Sequence, residues 1–381
     1  MKSRYFFRTF LAVTILFTAL STQAQHPDNY PDDELLNLLI KKNVLTQKEA
    51  DSLGAELAVK QQAQKDKENQ HGITIGSRAL QISGLIQTEY EGFEQTGINN
   101  TFLLHRARLD VKGDINDNWN YEVYTEFAGT TKLLDAYTTY KIGNFLKFTA
   151  GQFKVPFSLE SLIADSQLEF IDRSQVVNAL AGRSTDVIGN QNGRDIGIQI
   201  NGSFAKLNDH YLFDYTFGVF NGAGYDVTTD NNNRKDIGGR FTVHPIKDLS
   251  ISGDFYNGVG FYGTPAKNQK RNRGGFDARY VIGGLALQAE YNKGTDGSIR
   301  RDGWYGQATY FVVPKKLQLA ARYDTYDPNK VVTTDRAEIY TGGLNYFFNE
   351  WARLELNYLD RHEEVSQIKN NLFEAQLQLT F

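Results

Sequence analysis

From Gly72 to the carboxyl end, apolar and polar residues alternate with a period of two, and the polar set is heavily charged. "HRARLDVKG" sets Arg106, Arg108, Asp110 and Lys112 against Ala107, Leu109 and Val111. "DIGIQINGSF" alternates Ile196, Ile198 and Ile200 with Gly197, Gln199 and Asn201, and "WARLELNYL" sets Ala352, Leu354, Leu356 and Tyr358 against Arg353, Glu355 and Asn357. Such segments are strands with one apolar and one polar face. A soluble sandwich or propeller also alternates, but it buries its apolar face and wets its polar one. Here one face is apolar on nearly every strand and the other is charged, which leaves no solvated apolar-free surface and no dry core. A sheet closed on itself in lipid satisfies both faces.

About sixteen such segments of roughly ten residues can be counted, the length of a tilted strand crossing a bilayer. Their centres fall near Leu85, Arg108, Val123, Tyr137, Thr149, Ile198, Tyr215, Arg240, Asp254, Arg279, Ala289, Ala308, Ala320, Gly342, Leu356 and Gln376. Short connectors ("NDN", "GN", "HPIKD", "FNE") alternate with longer polar ones ("EGFEQTGINN", "GAGYDVTTDNNNRK", "YDPNKVVTTD"). Short turns on one rim and long loops on the other mark an outer-membrane barrel of antiparallel strands. The expectation puts loops at Val259–Asn272 and Gly294–Gly303 outside the cell and both mature termini in the periplasm. The chain finishes on "NLFEAQLQLTF", with Phe373, Ala375, Leu377, Leu379 and Phe381 toward lipid and Glu374, Gln376, Gln378 and Thr380 toward the lumen. This strand needs no polar cap if it pairs with the first. An aromatic end such as Phe381 resembles the signal read by the outer-membrane assembly machinery. Aromatics near strand ends, among them Trp304, Tyr346, Phe347, Phe348, Trp351 and Tyr358, suit interfacial girdles.

The amino-terminal "MKSRYFFRTFLAVTILFTALSTQAQ" has a basic start, a short apolar run and a small-residue end, so residues 1–24 are expected to be a signal peptide. Residues 25–71 read as a periplasmic helical leader and linker, in which Thr46 and Glu49 form a capping-box pair. The barrel takes 72–381. Cysteine is absent, which excludes disulfides and thiolate metal sites, and the formal net charge of -4 offers nothing to nucleic acid. The six histidines are scattered without metal spacing, "GVGFYG" falls in an expected surface loop with no following helix and so is no dinucleotide site, and no nucleophile motif is present. No cofactor, metal or enzymatic activity is expected.

The run "HRARLDVKGDIN", "YEVYTEFAG", "LLDAYTTYKIG", "LKFTAGQFKVPFSLESL" and "LEFIDRSQVVNALAGRSTDVIGNQNGRDIGIQI" resembles the phosphate-selective porins O and P. The match is firmest from about Gly84 to Ile200, and its most specific part is "GQFKVPF" with Asp172 and Arg173. The resemblance implies a sixteen-stranded homotrimeric porin whose third external loop, about 154–192 here, folds into the pore. It also implies an anion path lined by arginine and lysine. Arg106 matches one member of the family's arginine pair, and its neighbour is His105. Two matches fail: an arginine of the first strand corresponds to Leu85, and a lysine at the middle of the inserted loop corresponds to Ser166.

The channel-lining and anion candidates are Arg106, Arg108, Lys112, Lys147, Lys154, Arg173, Arg240, Arg279, Arg322 and Arg353. Carboxylates such as Asp110, Glu122, Glu126, Asp135, Asp254, Asp277 and Glu290 share their face, so the lining is mixed rather than a ring of one sign. Arginine–carboxylate pairs that stiffen the wall are the plainer reading of any one of them. The expected function is a water-filled outer-membrane pore for passive diffusion of small polar or anionic solutes, without strong phosphate selectivity. The alternative is a barrel plugged by its loop with a structural or partner-binding role.

Overall fold

The computed structural model describes residues 80–365 and 368–381, together with Lys42 and Ile73–Thr74. The expected signal peptide, 1–24, and the leader, 25–71, lie outside the described residues apart from Lys42.

Sixteen antiparallel strands close into a barrel. They are β1 Gln81–Phe93, β2 Thr101–Asp114, β3 Trp119–Glu126, β4 Lys132–Gly143, β5 Leu146–Lys154, β6 Arg194–Leu207, β7 His210–Phe220, β8 Asp236–Ile246, β9 Leu249–Tyr262, β10 Lys267–Ile282, β11 Leu285–Asp296, β12 Ile299–Val313, β13 Leu317–Asp327, β14 Ala337–Phe347, β15 Ala352–Glu363 and β16 Leu372–Thr380. Each strand contains the centre expected from the alternation. Closure runs from Leu372 opposite Phe93 to Thr380 opposite Leu85. Ile73 and Thr74 add a short pairing onto Ile82 and Gln81.

The seam between first and last strand is completed by Phe381. Its carbonyl accepts from the Gly84 amide at 2.7 Å, and its own amide donates to the Gly84 carbonyl at 3.1 Å. A Cβ on Gly84 would stand 2.2 Å from the far ring carbon, Cζ, of Phe381. Glycine therefore leaves the room in which the terminal ring lies across the seam.

The two faces divide as the period demands. Glu374, Gln376 and Gln378 are buried toward the lumen, whereas Leu377, Leu379 and Phe381 are exposed outward. Aromatic neighbours gather near both rims. Trp119 and Tyr140 (4.9 Å) and Phe311 and Phe347 (5.5 Å) lie near the short turns; Trp304, Tyr323 and Tyr340 meet successively as tilted rings at 5.0 Å on the opposite half. A cation on the lipid face at mid-bilayer would cost about 2–4 kcal/mol, which explains why charge is confined to the other face.

Two expected loops are corrected. Val259–Asn272 belongs to β9 and β10, which pair as far as Tyr262 opposite Lys267 and leave only the turn 263–266. Gly294–Gly303 belongs to β11 and β12, joined by the turn 297–298. "GVGFYG" therefore lies on a strand and its turn rather than in a surface loop. Beyond the bilayer the outward face of a strand meets water, so outward residues such as Lys270, Asn272, Thr295 and Arg300 are polar and the segments read as loops, although Val259 and Phe261 still point outward. The long connectors among the described residues are 94–100, 155–193, 221–235 and 328–336.

Deleting Phe381, or F381D, is expected to lower outer-membrane abundance and abolish heat-modifiable mobility, because the deletion removes the last two seam bonds with the terminal ring and F381D puts a charge in place of that ring. G84A should show a milder defect of the same kind. Wild-type abundance and mobility in all three would disprove a role for the seam in assembly. Protease added to intact cells should cut within 221–235 or 328–336 and spare Val259–Asn272, whose backbone is held in a ladder. Mass spectrometry of the fragments decides between them.

Candidate functional site

The connector between β5 and β6, residues 155–193, enters the barrel. It carries two short helices, α1 Leu159–Leu162 and α2 Gln175–Leu180, and a 3-10 turn at Asp165–Gln167. Ser158 and Ser174 cap the helices by accepting from the amides of Ser161 and Val177. Ser158 sits at φ 70°, a left-handed conformation that disfavours a side chain by roughly 1–2 kcal/mol. Its amide donates to Asp254 of β9 at 3.0 Å, which together with the cap holds it there. The apolar face of α2, Val176, Val177 and Leu180, packs with Phe153, Phe157, Phe220, Tyr256 and Tyr305. Burying each such aliphatic side chain contributes about 1.5–3 kcal/mol. The barrel thus has a small dry core inside its lumen, where alternation alone places only polar groups.

The rest of the loop is held by charge. Glu160 accepts from Arg322 of β13 at 2.5 Å and from the Ser174 amide at 2.9 Å. Arg322 also donates to the Asp172 carbonyl and to Gln307, and its guanidinium lies 4.2 Å from the centre of the Phe170 ring. Glu169 accepts from Arg279 of β10 at 2.6 Å and from Gln307 of β12 at 2.8 Å, and the Glu169 carbonyl accepts from Asn345 of β14. Asp186 pairs with Arg271 and Arg273 of β10 at 2.8 and 3.5 Å. On the far side the Ser166 carbonyl accepts from Gln378 of β16 at 3.1 Å. The loop therefore crosses the lumen and is fastened to opposite walls.

Where the loop nears β2 it presents Asp165. This carboxylate accepts from both Arg108 and Arg173 and lies 3.8 Å from Arg106. Arg108 also donates to Glu126 at 2.6 Å, and Arg106 to Gln87 at 2.6 Å. Burial raises the Asp165 acid, but the guanidiniums of Arg173, Arg108 and Arg106 outweigh it and hold the carboxyl well below its usual range. Asp186 behaves alike: burial is overcome by Arg271 and Arg273, and its carboxyl falls to about 2.

Below the Asp165–Gln167 turn a cavity of about 880 Å³ opens toward the short-turn rim. It is lined by Arg108, Lys112, Lys147, Lys154, Arg194 and Arg353 and by Asp110, Glu122, Asp135 and Asp165. Leu85, 4% exposed, also lies on this wall. The sequence candidates divide into groups. Arg106, Arg108 and Arg173 converge on Asp165. Lys112 pairs with Asp110 at 3.2 Å, Arg240 with Asp254 and Asp277 at 2.5 and 2.6 Å, and Arg353 with Glu355 at 3.1 Å. Arg279 and Arg322 anchor the loop. Lys154 donates to the carbonyls of Leu162 and Ile163 at 3.0 and 2.9 Å, and Lys147 lines the cavity.

The description phosphate-selective porin O and P matches residues 81–381. The chain belongs to that family. It is a channel-forming porin of the outer membrane of a Gram-negative bacterium. Solved barrels of similar fold include Pseudomonas putida OprB in a high-pH structure (12% identity, 80% of this chain and 94% of that one, TM-score 0.59). Salmonella typhi OmpF in complex with daunomycin (10%, 81% and 100%, 0.56) and a trimer form of in-vitro folded Vibrio cholerae OmpT (16%, 79% and 99%, 0.55) are similar too. No curated protein matches the chain.

The residues that sequence reasoning missed are the loop's carboxylates, Asp165, Glu160, Glu169 and Asp186, and their wall partners Arg271 and Arg273. The loop has no period, so nothing along it marks which acid meets which arginine. Its only signal is acids spaced along a segment enclosed by wall cations. The Asp186 pairs carry a pH consequence. A carboxyl depressed to about 2 from an ordinary value of about 3.9 stabilises fully above the latter, and the contribution is lost as pH falls toward the former. It amounts to about 2–3 kcal/mol. Pepsin is therefore expected to leave the loop of the purified porin intact at pH 4 and to nick it below about pH 2. Equal resistance at both pH values would show that these pairs do not hold the loop.

Proposed function

We propose that this porin passes small polar solutes with little discrimination for phosphate, and that it works as a homotrimer. The carrying observation is Asp165. An anion that is to bind tightly needs several donors left free at one narrow point, since each contact is a charge-assisted hydrogen bond. The best set here, Arg106, Arg108 and Arg173, already surrounds a carboxylate of the chain. That internal anion competes for the guanidinium forks and repels a second anion beside them. Leu85 and Ser166 stand where the family's resemblance leads one to expect two more cations. Arg240, Arg279, Arg322 and Arg353 are each committed to a carboxylate. Lys147, which forms no ion pair with a carboxylate among the described residues, is the residual source of any anion preference in the cavity, since Lys154 is tied to the Leu162 and Ile163 carbonyls. The trimer rests on the resemblance and on the trimer form of the OmpT barrel.

Planar-bilayer recording tests the reading. Wild-type channels should carry chloride current that phosphate blocks only in the millimolar range. D165N frees the three arginines, and its half-blocking phosphate concentration is expected to fall at least about tenfold, in line with the strength of charge-assisted contacts. Micromolar block of the wild type would overturn the proposal. A barrel that passed no current, with current appearing only once the loop is cut, would instead support a plugged barrel.

A further inference from the structure

A second charged cluster lies on the opposite side of the loop from the cavity, toward the long-connector rim. Glu89 and Glu91 project inward from β1, and Glu374 from β16. Glu374 and Glu91 are direct cross-strand partners, and Gln376 is the partner of Glu89. One carboxylate oxygen from each glutamate lies within 4.8 Å of the other two. Like charges placed opposite each other on one sheet face destabilise the pair unless something neutralises them.

The decisive residue is Glu374. Its side chain is fully buried, at 0% exposure, yet neither of its oxygens has a hydrogen-bond partner. A buried, unpaired carboxylate costs several kcal/mol, whereas Asp165 and Asp186, also deep in this lumen, are held by arginines and Asp236 and Glu290 accept from tyrosine hydroxyls. Glu89 is engaged on one side by His105, which the register shift between Gln87 and Thr88 leaves out of the ladder. Arg361 on β15 and Asp172 on the loop also act on Glu91 and Glu374. On the other side Glu89 faces Glu355, which Arg353 engages at 3.1 Å.

We infer that Glu89, Glu91 and Glu374 form a binding site for a divalent cation of the calcium class inside the lumen wall. A hard dication takes oxygen ligands at about 2.3–2.6 Å, so two oxygens on the same ion stand at most about 5 Å apart. The spacing of the three glutamates meets that limit. Their carboxylates, completed by water from the lumen, supply oxygen-only ligation with flexible geometry, which suits calcium better than magnesium. Binding removes the cross-strand repulsion between β1 and β16 and gives the orphaned Glu374 a partner. The site lies on the strand pair that closes the barrel, so calcium bridges the seam at a second point above the Gly84–Phe381 bonds. The inference stands independently of which solutes the pore passes.

Calorimetric titration of calcium chloride into the purified, chelator-washed porin at pH 7.5 tests it. One calcium per chain is expected, with a dissociation constant of about 10⁻⁴–10⁻³ M, the range of extracellular calcium modules. E374Q and E91Q should each weaken binding at least tenfold, while both keep heat-modifiable mobility. Calcium at 10⁻² M, on the order of ten times the weaker limit, should also raise the temperature at which the wild-type barrel unfolds and leave E91Q unmoved. Absence of saturable binding to the wild type, or wild-type affinity in the variants, would overturn the inference. E91Q alters a half-buried side chain, so it decides the question if E374Q fails to assemble.

Discussion

Inside a bilayer no water is available to a bare amide or carbonyl, so every backbone polar group at that depth must find its partner within the protein. The rest of this structure depends on that constraint. A sheet meets it only by closing, and closing requires the last strand to find the first across the whole sequence. Here the union is made by β16 on β1 and ends in the reciprocal bonds of Gly84 and Phe381. A chain terminus, normally the loosest part of a domain, is thereby the closing element.

Closure creates a second problem. The inward face of sixteen strands is polar and charged, and partly enclosed charges need partners. The loop between β5 and β6 supplies many of them. Its acids are matched to wall arginines on β2, β10 and β13, and the wall's own acids Asp254 and Asp324 accept from loop amides at Ser158 and Gln175. Breaking one such enclosed pair costs about 3–5 kcal/mol because the survivor is left uncompensated. The same pairing that positions the loop also withdraws cations from the solute path. Loop docking and weak anion selectivity are in this sense one electrostatic arrangement.

The two acidic environments of the lumen illustrate the contrast. Asp165 lies among three arginines and is satisfied by them, whereas Glu374 lies among carboxylates with no donor. The first environment is complete within the chain. The second is short of positive charge, and a dication would supply it.

Period and charge were readable along the chain. The alternation located all sixteen strands, assigned Glu374, Gln376 and Gln378 inward and Leu377 and Leu379 outward, and marked 155–193 within a residue as the longest connector, because a strand in lipid repeats its environment every second residue. It failed where that environment stops. Val259–Asn272 and Gly294–Gly303 extend past the membrane, their outer faces meet water, and the contrast between faces disappears. Pairing in general was expected, but which partner each charge takes was not readable: Arg106, Arg108 and Arg173 meet Asp165, 57 residues beyond Arg108, only in the folded chain. Likewise Glu91 and Glu374 become neighbours only when the barrel closes. Local alternation depends on the solvent each residue meets, and that is written in the order of residues; pairing between a periodless loop and distant strands depends on where the closed wall holds each charge in space.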